Sequence, residues 1–144
     1  MIQPDTVKLF RECDAGIRMG TDSIDQVLPH TNSRQLQQVL RSCRDAHRSL
    51  GHQVTGLLNR YQDEGKKPNP IASSMSKMKT GWKLTMDRCD ATVADLITDG
   101  CNMGVKSLSR YLNQYRAADE ESKDIAKKLI HLEAQLSADI RQYL

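Results

Sequence analysis

An internal repeat constrains the fold of this chain more than any other feature of its sequence. The segment at residues 16–24, Gly-Ile-Arg-Met-Gly-Thr-Asp-Ser-Ile, recurs 84 positions later at residues 100–108 as Gly-Cys-Asn-Met-Gly-Val-Lys-Ser-Leu. At the same offset, His47 matches His131. A period this long that occurs once indicates a duplicated structural unit rather than a solenoid of short repeats.

Apolar residues recur at spacings of three and four through most of the chain, which predicts long helices and no strands. Pro4 suits the first turn of helix one, and residues 29–32 break that helix. Asn32 followed by Gln35 predicts a capping arrangement at the start of helix two, which we expect to end near Gly65.

Residues 65–89 form a long connection, and the apolar spacing within it predicts a short amphipathic helix in residues 71–88. Asp90 is the predicted cap of helix three, and a turn at residues 116–119 precedes helix four. The apolar stripe predicted for helix four consists of Ile125, Leu129, Leu132, Leu136, Ile140 and Tyr143.

The connection lengths predict the topology. Short turns join helices one to two and three to four, so each pair is an antiparallel hairpin, at about residues 5–64 and 90–144. The 65–89 connection is long enough to traverse a helix of roughly 36 Å. The prediction is one all-α domain over residues 1–144, a four-helix bundle of two hairpins joined by a long crossover.

The repeat matches helices one and three closely and helices two and four poorly. Gly16 and Gly20, repeated at 100 and 104, would let two copies of one face approach around an approximate two-fold axis. His47 lies on the apolar stripe of helix two, whereas His131 flanks the stripe of helix four. Either helix four is displaced by a residue in register or the histidine match is chance.

The length, the two hairpins, the crossover, the Gly-x-x-Met-Gly-x-x-Ser repeat and the paired histidines resemble the ferritin-like superfamily, in particular its small uncharacterised bacterial families. The resemblance implies a four-helix bundle. Di-iron members of that superfamily carry a Glu from each of two helices and a Glu-x-x-His from each of the other two.

The carboxylates of such a di-iron centre are missing from this chain. Arg44 and Lys128 stand three residues before the two histidines, and a cation there cannot coordinate a metal. Ile17 and Cys101 stand at the inward positions expected for the isolated glutamates. The resemblance therefore implies the fold and a degenerate metal site, without di-iron chemistry.

A different metal site is the alternative. The four cysteines have no Cys-x-x-Cys spacing, which excludes zinc-knuckle and thioredoxin-like motifs. Soft ligands on inward faces could still hold zinc, iron or copper. Equally, a buried histidine beside core cysteines explains the same residues without a metal. The candidate ligands are Cys13, Cys43, His47, Cys101 and His131, with Met19 and Met103 nearby.

Composition limits the remaining function classes. The net charge of +3 comes from 21 basic and 18 acidic residues scattered together, which is no electrostatic footprint for nucleic acid. The sequence shows no transmembrane segment and no signal peptide, so we expect a cytoplasmic protein. The sequence contains no catalytic or cofactor-binding motif, and the Gly-rich phosphate loop is also absent.

Three functional hypotheses follow. The first is a non-enzymatic bundle without a di-iron centre that acts through an unknown protein partner or through self-association, as a homodimer. The alternative is a metal-binding protein for metal handling or oxidative-stress defence. A third is an adaptor that contacts a membrane surface or an acidic partner through the basic helix predicted in residues 71–88.

Overall fold

A computed structural model describes residues 4–63, 65–66 and 89–144. Within these residues the chain forms four long helices and no strands, which confirms the all-α four-helix bundle. The helix predicted in residues 71–88, and with it the adaptor hypothesis, lies outside the described residues. The helices are α1 (Pro4–Val27), α2 (Arg34–Arg60), α3 (Asp90–Gln114) and α4 (Glu120–Asp139), with 3-10 turns at Leu28–His30 and Arg141–Tyr143.

Hydrogen bonds between helix ends establish the direction of each helix. Thr6 Oγ1 accepts from the backbone N–H of Asp119 at 2.9 Å, so α1 and α4 start at the same end of the bundle. The Asp90 carboxylate accepts from the backbone N–H groups of Asn32 at 2.8 Å and Ser33 at 3.0 Å, so α2 and α3 both start at the other end. The chain after α2 must therefore connect opposite ends of the bundle, as the crossover topology requires.

Two of the predicted helix caps are wrong by one residue. Ser33, not Asn32, caps α2, because its side chain is the one that accepts from the N–H of Leu36, at 3.2 Å. The N-cap of α3 is Cys89, and Asp90 is the first helical residue. The Asp90 carboxylate is directed across the bundle, where it accepts from the start of α2 instead.

Helix α2 also ends earlier than predicted, at Arg60 rather than near Gly65. The reversal that follows includes Gln62 and Gly65, whose φ angles of 55° and 86° lie in the left-handed region. The backbone N–H of Gly65 donates to Asp63 Oδ1 at 2.8 Å, and that of Lys66 donates to Asp14 Oδ2 at 3.0 Å. These bonds turn the chain back along α1.

The buried core divides into two clusters, one toward each end of the bundle, and the internal repeat exchanges them. The first cluster includes Leu9, Phe10, Cys13, Ile17, Val54 and Leu108. The second includes Ile24, Cys43, Val93, Ala94, Ile97, Cys101, Leu136 and Ile140. At the 84-residue offset, Leu9 maps onto Val93 and Ile24 maps onto Leu108, each in the opposite cluster. The predicted two-fold relation between α1 and α3 is therefore present in the packing.

Helices α2 and α4 obey the same exchange at a different offset. Buried positions of α2 match buried positions of α4 after 86 residues, so Cys43 corresponds to Leu129 and Val54 to Ile140. Helix α4 is thus displaced by two residues from the 84-residue repeat, where the sequence suggested a displacement of one residue or a chance match. In this register His131 is exposed, Leu132 is only partly buried, and Glu133 takes the buried position. The structural counterpart of His47 is Glu133, so the His47–His131 match is not an equivalence of position.

Candidate functional site

One residue from each helix lies between the two core clusters, and these four form a central layer. They are Gly20, His47, Gly104 and Glu133. His47 and Glu133 are 1% and 9% exposed. A Cβ atom added at Gly20 would lie 2.9 Å from His47 Cδ2, and one added at Gly104 would lie 2.5 Å from Glu133 Oε2. The repeated glycines therefore leave the space that this polar pair fills.

The other two glycines of the repeat do not take part. A Cβ at Gly16 or Gly100 would meet nothing within 4 Å. The expectation that both glycines of each copy bring backbones together is therefore wrong. The closest neighbours of Gly20 and Gly104 are side chains, and the pair His47–Glu133 is what the missing Cβ atoms accommodate.

His47 is held at both ring nitrogens. Nδ1 donates to the backbone carbonyl of Cys43 at 2.8 Å and lies 3.5 Å from Cys43 Sγ, while Nε2 lies 3.3 Å from Glu133 Oε1. Burial lowers the pKa of His47, but the hydrogen bonds with Cys43 and Glu133 outweigh it and raise the pKa to about 10. At neutral pH the ring is therefore an imidazolium that donates from both nitrogens, ion-paired with the Glu133 carboxylate.

The four thiols are free and lie in different surroundings. Burial raises the pKa of Cys13 and of Cys101 to about 12, and the Glu133 carboxylate contributes at Cys101, so both remain neutral thiols. Cys89 is half-buried at the start of α3, with its Sγ 3.3 Å from Thr92 Oγ1. Cys43 alone among them contacts His47.

A groove of about 400 Å³ runs between α2 and α4. Its floor is formed by Val39, Ala46, Leu132 and Leu136 together with Cys43, which is 8% exposed. Its rim carries side-chain amides and one carboxylate, namely Gln35, Gln38, Gln135 and Asp139, along with Ser42. We call this feature the α2–α4 groove. It leads from solvent to the thiol that touches the central ion pair.

The structure brings together only part of the predicted metal-ligand set. Cys43 and His47 are in contact, and Cys101 belongs to the same core cluster as Cys43. Cys13 lies in the opposite cluster, and His131 is exposed. Among the described residues no three His, Cys, Asp or Glu side chains gather in an arrangement that could hold a metal ion.

The central layer does not fit the di-iron ligand set of ferritin-like proteins. Two of its four positions are Gly20 and Gly104, which supply no ligand; Ile17 and Cys101, expected there, belong to the adjacent core clusters. Arg44, three residues before His47, binds Asp25 Oδ1 at 3.0 Å at the surface. The layer offers one imidazole and one carboxylate, already bonded to each other.

The buried position of Glu133 is not predicted by the sequence pattern. No gap in the apolar stripe marked this position, because the spacing Leu129, Leu132, Leu136 is as helical as Leu129, Glu133, Leu136. A charged residue beside a complete stripe is expected to be solvent-exposed until its neighbours are known. The two-residue displacement of α4 decides between the two readings.

A second polar cluster, also missed, fixes the chain after α2. Lys66 Nζ lies 2.5 Å from Glu12 Oε1, and the buried Asp14 accepts both from the Lys66 backbone and from the Arg18 guanidinium. The hydrogen bond with Glu12 raises the pKa of Lys66. Burial, with the Glu12 carboxylate, raises that of Tyr111. Every carboxylate here has a cation or an N–H donor, so the cluster is a structural clamp.

Comparison with known proteins gives the fold and no function. No family model matches the chain, and no curated protein matches it. The chain is similar to the crystal structure of a DUF305 fragment from Deinococcus radiodurans, with a TM-score of 0.75 over 98% of this chain and 95% of that one. The sequence identity is 12%, so the likeness concerns the fold alone.

None of the described helices combines the length and the apolar character needed to cross a bilayer.

Proposed function

We propose that this protein is a non-catalytic helical bundle of the ferritin-like type that acts by self-association through the α2–α4 groove. The observation that carries the proposal is the character of that groove: an apolar floor between two walls whose polar groups are mostly uncharged amides. By comparison, 27% of all residues in the chain are charged.

A second copy of the chain is the occupant that suits this rim. A carboxamide both donates and accepts hydrogen bonds, so the same row of glutamines on two copies can pair with itself. A two-fold interface requires this self-complementarity, because each patch meets an identical patch. The one charge on the rim, Asp139, already accepts from the Gln135 amide at 2.7 Å, which reduces its repulsion from a second copy.

Non-catalytic action is supported by the hydrogen bonds of the His47–Glu133 pair, which already occupy both ring nitrogens. Nδ1 of His47 is bonded to a backbone carbonyl and Nε2 to Glu133, and the layer is closed by Gly20 and Gly104. A general base needs an atom that reaches a substrate proton. Both residues of the pair are buried, which favours a role in determining how the four helices pack.

Sedimentation velocity across a wide concentration range tests self-association. We expect the wild-type chain to shift from monomer to dimer as concentration rises. Leu132→Glu, on the groove floor, should remain monomeric because a carboxylate there would be desolvated at the interface. Met103→Glu is the matched control, because Met103 is 62% exposed on α3 and does not line the groove.

The control should dimerise like the wild type. A wild-type chain that stays monomeric at the highest concentration contradicts the proposal. So does a Leu132→Glu chain that dimerises like the wild type while its circular dichroism melt shows an intact bundle.

A bacterial cytoplasmic location is part of the same proposal, since a reducing compartment keeps the four thiols free.

Metal binding is the second candidate function, and the contact between Cys43 Sγ and His47 Nδ1 at 3.5 Å favours it. A metal there would displace the proton that Nδ1 donates to the Cys43 carbonyl, and a thiolate and a neutral imidazole are then ligands for zinc or Cu(I), and less often for iron. Elemental analysis of protein purified without a metal-affinity tag tests it, with Cys43→Ala, His47→Ala as the comparison. Metal lost in the double variant supports the site, whereas less than about a tenth of an equivalent in the wild type contradicts it.

A further inference from the structure

The turn that follows α4 lies at one end of the α2–α4 groove. In this 3-10 turn, Arg141–Tyr143, the Tyr143 hydroxyl donates to Gln35 Oε1 at 3.2 Å, and Gln35 is part of the groove rim. The backbone N–H of Leu144 donates to the Arg141 carbonyl at 3.1 Å, which holds Leu144 against the turn. We call residues 141–144 the α4 end turn.

Two side chains of the α4 end turn are exposed. Leu144 is 60% exposed, and with Met103 it is one of the two large apolar side chains exposed among the described residues. Arg141 is also exposed, and its guanidinium forms no ion pair with any residue that the structure describes. An apolar side chain and a cation are therefore both available for contact at this end of the groove.

The groove has features that complement these two side chains. Its floor is apolar and includes Leu132 and Leu136. Asp139, the charge on its rim, accepts from the Gln135 amide through Oδ1 at 2.7 Å, and a carboxylate can accept through its second oxygen as well. Because Leu144 is mostly exposed in its own chain, it does not fill the groove beside it.

We propose that the occupant of the α2–α4 groove is the α4 end turn of a second copy, with Leu144 on the apolar floor and Arg141 paired with Asp139. This inference rests on the self-association proposed above and assigns the residues that produce it. A two-fold axis makes the contacts reciprocal, because each copy inserts its end turn and receives the other. Asp139 and Arg141 are two residues apart, so one axis near the end of α4 serves both pairs.

The two contacts contribute differently. Burial of Leu144 supplies affinity, because removing an apolar side chain from water is favourable. The ion pair of Arg141 and Asp139 lies at a rim, where it adds little affinity but selects the arrangement, since like charges brought together oppose association. Exchanging the charges therefore tests the geometry separately from the apolar contact.

The experiment is charge reversal followed by sedimentation velocity. Asp139→Arg makes both sides of each contact basic, and Arg141→Asp makes both sides acidic. Each variant alone should dimerise at least about tenfold more weakly than the wild type. An equimolar mixture of the two should dimerise with nearly wild-type affinity, because each contact again joins a cation to a carboxylate.

Asp99→Arg and Arg110→Asp are the matched controls, because both positions are exposed on α3 and neither lines the groove. Each control should dimerise like the wild type, alone or mixed. Leu144→Ser tests the apolar contact and should weaken the dimer by at least about tenfold without changing the circular dichroism melt of the monomer.

The outcomes separate this inference from self-association itself. A wild-type chain that stays monomeric overturns both. If the wild type dimerises, three results overturn the end-turn contact alone: a charge variant as tight as the wild type, a mixture as weak as its components, or an unchanged Leu144→Ser. Assemblies that grow beyond the dimer overturn the two-fold arrangement, because a head-to-tail contact does not close.

Discussion

At the scale of single residues, the central layer shows what the repeated glycines do. Gly20 and Gly104 are related by the internal two-fold, and so are His47 and Glu133, which carry opposite charge in the native protein. Gly20 and Gly104 face the His47–Glu133 pair, and a larger residue at either glycine position would clash with it. A buried ion pair adds little net stability but is costly to break, so it favours one register over its alternatives.

Alanine substitution at the four repeated glycines should give opposite effects within each copy. Gly104→Ala would place a methyl group 2.5 Å from Glu133 Oε2, and Gly20→Ala one 2.9 Å from His47 Cδ2. Overpacking of this kind costs about 1–3 kcal/mol of unfolding free energy. Gly100→Ala and Gly16→Ala meet nothing, and replacing a mid-helix glycine should stabilise by about 0.5–1 kcal/mol.

Urea denaturation of the four single variants measures these changes, and each pair controls for helix propensity because both members lie on the same helix. A stabilising Gly104→Ala, or a destabilising Gly100→Ala, would show that the space around the central layer is not as described.

The central ion pair should make stability depend on pH in one direction. The pKa of His47 is about 10 in the folded chain and near 6.5 when unfolded, so the folded state binds one more proton between these values. The stabilisation is complete below about pH 6.5 and is lost as the pH rises toward 10, at about 1.4 kcal/mol per pH unit. The titratable groups in contact with the ring are Glu133 and Cys43.

The measurement is the difference in unfolding free energy between wild type and His47→Gln over that range, which cancels titrations common to both chains. A difference that stays constant from pH 6.5 to pH 9.5 would mean that the ring is not held as a cation.

At the scale of helices, the starts of α2 and α3 depend on each other. Asp90 belongs to α3, yet its carboxylate accepts from the backbone N–H groups of Asn32 and Ser33, at the entrance to α2. Ser33 then caps α2 locally. One carboxylate thus joins the two hairpins at the end where the chain after the crossover enters the bundle.

Asp90→Ala should lower the unfolding free energy by about 1–2 kcal/mol, since two backbone donors lose a charged acceptor. Asp99→Ala is the matched control: Asp99 is exposed on the same helix, and the change there should stay within about 0.5 kcal/mol. Chemical denaturation of both variants gives the comparison, and equal effects would show that the bridge between hairpins contributes nothing.

At the scale of the whole molecule, the topology requires a long connection between the hairpins. Lys66 is clamped beside Asp14, whereas Cys89 lies near the far end of α1, where Asp90 meets Asn32. The rise along α1 from Asp14 to Val27 alone is about 20 Å. A linker of three residues between Lys66 and Cys89 spans at most about 14 Å.

Replacing residues 67–88 with Gly-Ser-Gly should therefore prevent the monomeric bundle, and the chain should unfold or exchange hairpins between copies. A Gly/Ser linker as long as the replaced segment is the control, because loop length itself costs little. Size-exclusion chromatography and thermal melts at one concentration compare the short-linker chain with the control. A short-linker chain that matches the control in size and melting temperature would contradict the topology.

Much of this architecture could be predicted from the residues, but the helix caps and the buried carboxylate could not. The apolar spacing of α1 and α3 predicted both faces and the two-fold relation, because no charged residue interrupts the apolar stripes of those helices; the buried Asp14 of α1 lies beside its stripe. The caps failed by one residue because Asn, Ser and Asp are all good capping residues and only the neighbouring hairpin decides which carboxylate meets which N–H group. The burial of Glu133 was not predicted because periodicity does not distinguish a buried carboxylate from a solvated one.

The sequence by itself determined the helical class, the two hairpins, the long connection and the repeated glycines, since helical periodicity and chain length are local properties. Only the tertiary structure decided the register of α4, because a two-residue displacement leaves that helix equally amphipathic and is resolved only by packing. That register exchanged His131 for Glu133 as the partner of His47. It thereby replaced the imagined histidine pair with an ion pair and placed the Cys43 thiol between that pair and the α2–α4 groove.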